Sequence, residues 1–510
     1  MTRIYEEKII KGMTIANDPR LPSGAQAITN FDATTFANRL VPYRASESGD
    51  ADASTLRKQI FTIALRTGTT YSFYALGNKS GSSTLGEFTY KNISSGNPTD
   101  MDDSAWANTA NNQTTSGTIA FHFMVYYKTA GYIYAVKADG NVVQYDPSGS
   151  AALTDNVFSL GAYTNPPRAL VHRKTDKLYI GFDNFVWSYD GSVVVNPVIT
   201  LPNTYYVTSL SEYGGYMAIA VAPVSGIGAS KVFLWDLDSS VADFSEIIDW
   251  GDGDLKILQE VDGLLVGISL LNRTGSRFVD RVIFRYLNGT NVVKFEEFLD
   301  ASGTSSVLLP LAFQRINNRL YFMMSIKLNG AVREGTWSVG RNNQSQSLGI
   351  VHERTPNNNT ALFSGQLYNF FYVGDFLFQS FLTSATYSLT KTVSTASYST
   401  KAIYESQILS GGDNSLTKKL IGVTVTFEPL PTDGQVLLSY KKDEETSFTT
   451  IYTHTTLNSV SHSAINIEST GVDLPEFKEI TFRIESTGSA AGVNITGGSY
   501  KAEVIDSKLY

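Results

Sequence analysis

Residues 131–147, GYIYAVKADGNVVQYDP, decide the fold. Tyr132 to Lys137 is rich in aromatic and β-branched residues and alternates as a strand does. Asp139-Gly140 supplies the positive backbone angles of a tight turn, and Val142 to Tyr145 returns as a second strand. The reading is a β-hairpin, and the chain repeats it. FTIALRTGTTYSFYAL (61–76), FHFMVYYKTAGYIYAV (121–136), ALVHRKTDKLYIGF (169–182), SLSEYGGYMAIAV (209–221), ILQEVDGLLVGI (257–268), LAFQRINNRLYFM (311–323) and NFFYVGDFLFQ (369–379) each join two strands through a polar turn. A third strand follows each one: EFTYKN, VVQYDP, FVWSYDG, VFLWDLD, VIFRYLNG, GTWSVG and ATYSL.

Seven meanders of at least three strands at a spacing of about 40 to 60 residues predict β-propeller blades, because helical solenoids would show a 3.6-residue pattern. One small twisted sheet cannot bury both faces, whereas sheets packed face to face around an axis can. Inner strands then read as nearly continuous apolar runs, as LLVGISLL and LYFMMSI do, and outer strands are more polar, as VVKFEEF (292–298) is. A pair of stacked β-sandwiches gives similar spacing and stands as the alternative. The expected fold is therefore all-β: a propeller of six or seven blades over 58–392, preceded by an extended N-terminal arm and linker at 1–57 and followed by an antiparallel β-sandwich at 393–510. The arm is punctuated by Pro, Gly, Asp and Ser and has little periodicity, and it is expected to be held by a partner or to add a strand that closes the ring. The C-terminal segments KKLIGVTVTFEPLP, GQVLLSYKKD, FTTIYTHTT, HSAINIE, FKEITFRIES and SYKAEVIDSKLY alternate as sheets with one wet face do.

Composition bounds the rest. The chain has 510 residues, 42% hydrophobic and 12% aromatic, with only 17% charged, below the roughly 25% usual for soluble domains. A low-charge surface rich in Tyr suits a protein largely covered by partners. There is no cysteine, which excludes disulfides, thiolate metal sites and a cysteine nucleophile. The first residues hold no apolar h-region, so no cleaved signal is expected, and no apolar run reaches the ~18 residues of a membrane span. The formal charge of −8, with no basic stripe, argues against sequence-specific nucleic-acid binding. The sequons at Asn112, Asn288 and Asn494 read as Asn/Ser/Thr-rich loops.

The ends of the chain, NRLVPYRASESGDADAST (38–55), PLPTDGQVLLSYKKDEETSFTTI (429–451) and FKEITFRIESTG (477–488), together with the cysteine-free meander body, resemble tailed-bacteriophage virion structural proteins. The resemblance implies a tail, nozzle, tail-tip or neck component, located in the virion and made in the host cytoplasm. It implies partners among other virion structural proteins and further copies of the chain in a ring. A tail adhesin for a host-surface glycan or receptor is the alternative, with a glycan-degrading propeller enzyme behind it. No catalytic residue is carried over.

Chemistry is sparse. Among His122, His172, His352, His454 and His462 no pair has helical i, i+4 spacing, and no zinc-hydrolase motif occurs. His122 and His172 fall in expected strands as hydrogen-bonded structural residues, and His454 and His462 flank a turn and are expected to face solvent. No nucleophile elbow, Walker A loop or dinucleotide fingerprint occurs. Asp236, Asp238, Asp243, Glu246, Asp249, Asp252 and Asp254 crowd one stretch and 99–104 (TDMDDS) is a second, but neither has calcium-loop order, so solvated Asx turns are the expectation. Tyr205-Tyr206 beside Pro202, and Trp187, Trp235, Trp250 and Trp337, suit either sugar stacking or packing between blades, and packing is preferred. No catalytic, cofactor-binding or metal residue is assigned, no cofactor is expected, and the chain reads as non-enzymatic.

Overall fold

The computed structural model describes residues 4–10, 14–15, 24–32, 39–43, 46–48, 59–67, 70–78, 86–93, 113–115, 122–147, 152–238, 244–271, 281–299, 307–328, 331–341, 348–356, 365–373, 376–383, 386–392, 401–411, 413–465, 474–488 and 492–505. Among these residues there is no helix, and the regular structure is all strand.

Seven sheets have four strands each. The first comprises Gln59–Thr67, Thr70–Asn78, Gly86–Ile93 and Gln113–Thr114; the second, Met124–Tyr127, Tyr132–Val136, Asn141–Tyr145 and Leu153–Ser159; the third, Arg168–His172, Lys177–Phe182, Phe185–Tyr189 and Val194–Thr200. The fourth holds Tyr205–Tyr213, Tyr216–Pro223, Ala229–Trp235 and Glu246–Asp252, and the fifth Asp254–Val261, Leu264–Leu271, Arg281–Asn288 and Asn291–Leu299. The sixth holds Val307–Ile316, Arg319–Leu328, Ala331–Gly340 and Gly349–Arg354. The seventh is Gly365–Val373, Phe376–Thr383 and Thr386–Thr392, with Ser46–Ser48 fourth in order. Each expected hairpin forms the first two strands of one sheet, and each expected third strand is the third.

The turns explain the registers. Between Tyr213 and Tyr216, Gly214 and Gly215 both take positive φ, +56° and +89°, which matches the right-handed twist of the flanking strands. A bulge recurs between the third and fourth strands of five sheets, at 142/144, 186/188, 230/231, 284/285 and 336/337. One extra residue on the fourth strand in three of these sheets, and two in the other two, raise the local twist where the outer strand leaves the core.

The first strands of the seven sheets are neighbours in sequence order, and Gly365–Val373 comes back against Gln59–Thr67. That cyclic order makes the fold a β-propeller. Its core lies between sheets. Phe88 of the first sheet stacks on Tyr145 of the second at 5.1 Å. Tyr179 of the third meets Trp235 of the fourth edge-on at 5.8 Å, and Trp250 of the fourth packs with Leu255, Leu258 and Leu265 of the fifth. Strands caught between two neighbours are buried on both faces, which is why Met217 to Pro223 shows no exposed residue.

By contact density the chain divides into Ser48–Gly330 with Ser364–Lys391, and Met1–Glu47 with Ala331–Phe363 and Thr392–Tyr510. In the latter unit a sheet runs Ile4–Lys8, Ile495–Val504, Lys418–Phe427, Ser461–Ile465, with Glu476–Phe477 also on Lys418–Phe427. A six-stranded sheet runs Thr14–Ile15, Gly24–Thr29, Ala402–Ser406, Ile480–Thr487, Gln435–Lys442, Thr449–His454. Phe482 of the second sheet and Tyr500 of the first are 5.3 Å apart, so their apolar faces meet. Residues of 1–57 are built into these sheets. Ile4–Lys8 pairs antiparallel with 499–503, the Tyr500 hydroxyl donates to Glu7 at 2.6 Å, and Leu40 exchanges two backbone bonds with Ile495. Sheet edges present unpaired N–H and C=O groups, and these short strands satisfy them.

Candidate binding site at the ring of inner strands

Each of the first five sheets is entered at its innermost strand and left, after four antiparallel strands, at its outermost. An even number of strands returns the chain to the end at which it started, so successive inner strands begin at the same end of the ring. Polar residues gather there. Arg168 opens the inner strand of the third sheet, Tyr206 is second in that of the fourth, Asp254 opens that of the fifth with Lys256 two residues on, and His122 lies just before that of the second.

Arg168 follows Pro166-Pro167, whose fixed φ delivers an extended chain into the strand. Alternation turns it toward the fourth sheet, as Leu170 on the same face packs into the Tyr179–Trp235 core. Its Nε donates to the Thr208 carbonyl at 3.0 Å and its Nη1 to the Pro167 carbonyl at 3.2 Å. Thr208 is the residue skipped in the pairing of Val207 and Ser209, which frees its carbonyl for the guanidinium. Burial lowers the Arg168 pKa to about 10, and no carboxylate among the described residues forms an ion pair with it. The Tyr206 hydroxyl donates to Asp254 Oδ2 at 3.4 Å, and Lys256 Nζ donates to the same oxygen at 3.0 Å. Burial first, and then the Asp254 carboxylate, push the Tyr206 phenol up to about 12. His122 meets Tyr163 edge-on at 5.4 Å; burial, with the Arg168 charge second, lowers its pKa to about 4, so its ring is neutral near pH 7. The arc thus offers one guanidinium with N–H groups to spare, a neutral imidazole, a phenol and a carboxylate tied to a lysine. Such a set is chemically suited to a ligand carrying both a negative charge and hydroxyl groups.

Three residues weighed from the sequence, His122, Tyr206 and Asp254, come together here, and Pro202 and Tyr205 lie beside them. Arg168 and Lys256 escaped notice, because nothing in their local composition separates them from the other basic residues; the Pro-Pro pair before Arg168 was the available signal. The acidic stretch does not converge. Asp236 accepts the Asp238 N–H at 2.9 Å and Asp249 the Gly251 N–H at 3.0 Å, both Asx turns, while Asp254 belongs to the next sheet. Asp238, Asp249 and Asp252 are exposed and Glu246 half-buried, and among the described residues no group of three acidic or histidine side chains is placed to hold a metal. Asp243, Asn112 and 99–104 lie outside the described residues.

The other histidines are placed apart. His352 is fully buried, stacks on Trp337 at 4.6 Å and sits 3.0 Å from the Glu334 carbonyl; burial, with Arg333 second, lowers its pKa to about 3. His172 is buried edge-on to Tyr179 at 6.3 Å. His454 and His462 do not simply face solvent: their half-buried rings are 4.5 Å apart, and Tyr452 lies 4.1 Å from His462. The edge strands of the two sheets bring them together, a pairing that a linear sequence does not display. Trp235, Trp250 and Trp337 are fully buried, and Trp187 is half-buried against Phe182 at 5.2 Å. Asn288 is the exposed last residue of the strand Arg281–Asn288, paired with Asn291 across the turn, and Asn494 donates to Glu428 at 2.6 Å.

No protein-family model matches the chain, and no curated protein sequence matches it. Among solved structures it is similar to the β-propeller domain of Cps50 (Swd1) from Myceliophteria thermophila, at 8% identity and a TM-score of 0.38, covering 72% of this chain and 99% of that one. The Dos1 propeller gives 10% identity and a TM-score of 0.38 over 69% of this chain and 94% of that one. An exo-β-1,3-galactanase from Phanerochaete chrysosporium gives 9% and 0.28 over 91% and 100%. The propeller assignment rests on the ring of inner strands in the chain itself.

Proposed function

We propose that this chain is a non-enzymatic structural component of a tailed-phage particle: a tail, nozzle, tail-tip or neck protein, built as a seven-bladed propeller with a two-layer β-sandwich and repeated around the tail axis. One observation carries the reading. The stretches that resemble virion proteins are far apart in sequence, yet they interlock in one unit. Gln435–Lys442 pairs along its length with Ile480–Thr487, and from 38–55 Arg39 and Leu40 reach the same unit just outside those stretches, at Glu428 and Ile495. The resemblance, carried by both ends and weaker in the middle, thus draws most on one unit, which suits attachment of a subunit to its neighbours. Its partners are other virion structural proteins and further copies of the chain.

Mass spectrometry and electron microscopy of purified particles test this. The chain is expected in stoichiometric amounts at the tail or neck, and its absence from intact particles overturns the proposal. A second reading, a receptor- or glycan-binding tail adhesin, draws support from the polar arc. Substituting the arc then abolishes host adsorption while particles remain complete, whereas the structural reading expects adsorption to persist.

A further inference from the structure

We propose that the arc formed by Arg168, Tyr206, Asp254 and Lys256 at the starting end of the inner strands is a binding site for a carboxylate-bearing sugar of the uronic-acid type. The proposal stands on the propeller alone and does not depend on the chain's place in a particle.

Arg168 is the first ground. A guanidinium offers five N–H donors, and here Nε and Nη1 each donate to a backbone carbonyl. Those two bonds fix the plane of the group without neutralising it. No carboxylate among the described residues pairs with it, so a half-buried positive charge is held in one orientation with N–H groups still to donate. A planar carboxylate is the ligand that such a fork fits best.

Asp254 is the second ground, and it narrows the class. Its Oδ2 already accepts from Lys256 and Tyr206, and a carboxylate retains further lone pairs. A phosphodiester backbone would meet this negative charge with nothing to donate to it, and inorganic phosphate, with one or two hydroxyls near pH 7, would meet it against like-charge repulsion. A sugar hydroxyl donates to it directly and accepts from Lys256. The third ground is aromatic. Tyr206 is half-buried at this end, whereas Tyr205, on the other face of the strand, packs against the Tyr179–Trp235 core. The Tyr206 ring beside the polar cluster offers flat apolar surface to the C–H face of a pyranose. Guanidinium for the carboxylate, carboxylate and ammonium for hydroxyls, and phenol for the ring face together describe an acidic monosaccharide unit.

The test is a calorimetric or NMR titration of the full chain with galacturonate, galactose, acetate and inorganic phosphate. Galacturonate is expected to bind and galactose to bind roughly 10- to 100-fold more weakly, the ratio that one charged hydrogen-bonded contact supplies. Acetate and phosphate are expected to bind more weakly than galacturonate. Arg168→Gln should reduce galacturonate binding to the level of galactose. Because Arg168 also supports backbone carbonyls, Tyr206→Phe and Asp254→Asn serve as independent variants, each expected to weaken galacturonate several-fold with an unchanged melting curve. Equal affinity for galactose and galacturonate overturns the proposal, as does phosphate binding as tightly as galacturonate or the absence of galacturonate binding at millimolar concentration. A Tyr206→Phe, Asp254→Asn double variant that binds like the original does the same.

Discussion

His352 shows how one residue ties burial to acid response. Its ring is enclosed against Trp337 and holds a pKa of about 3, whereas the same histidine in an unfolded chain titrates near 6.5. Below pH 6.5 the unfolded chain takes up a proton that the folded one refuses. The stability that depends on the neutral ring is therefore complete above pH 6.5 and is lost as pH falls toward about 3, at about 1.4 kcal/mol per pH unit. His122 acts in the same direction over the window from 6.5 to about 4. The urea midpoint should fall between pH 6 and pH 4, and His352→Gln should flatten that slope. A second residue-scale test lies at Gly267, where a Cβ would come within 2.6 Å of the Trp250 ring and 2.7 Å of Leu255. Gly267→Ala should destabilise by about 1–3 kcal/mol in equilibrium unfolding, as overpacking does.

The hairpin was legible at the scale of the element because everything that defines it is local. In 131–147 the alternation, the Asp-Gly turn and the return strand lie within one window, and the pairs Ile133–Tyr145 and Val136–Val142 follow. Gly140 has φ +86°, its N–H bonds to the Lys137 carbonyl at 3.0 Å, and its carbonyl accepts from Leu160 at 2.9 Å. A Cβ there would meet the Gly161 carbonyl oxygen at 2.1 Å. Gly140→Ala is expected to cost more than about 1 kcal/mol, because it combines a strained backbone with a clash against main chain; a chemical denaturation curve measures it. Ile4–Lys8 and Ser46–Ser48 could not be read this way, since their partners are hundreds of residues away and their own pattern is too short. Arg168 was hidden for a related reason: its significance comes from Thr208 in the next sheet and from carboxylates it does not meet.

At the scale of the whole molecule, the first and last of the described strands share one sheet. Removing residues 1–10 deletes Ile4–Lys8, strips the edge of Ile495–Val504 and leaves the Tyr500 hydroxyl without Glu7. Amide hydrogen exchange should rise sharply across 495–504 and stay unchanged in the four-stranded sheets of 122–271; equal exchange in both would count against two separable units. The long-range pairing also explains why the two ends read as unlike pieces in the sequence, a loose leader and a regular tail. Each is half of one object, and a sliding window sees only halves.

The pairing of Ile4–Lys8 with Ile495–Val504 also sets a timetable. At ribosomal speeds of about 5–20 residues per second, the early segment emerges roughly half a minute to a minute and a half before its mate exists. During that wait its backbone groups stay open to other sequences, so a nascent-chain chaperone or a neighbouring polysome has its opportunity there, and slow translation of the message would lengthen the risk.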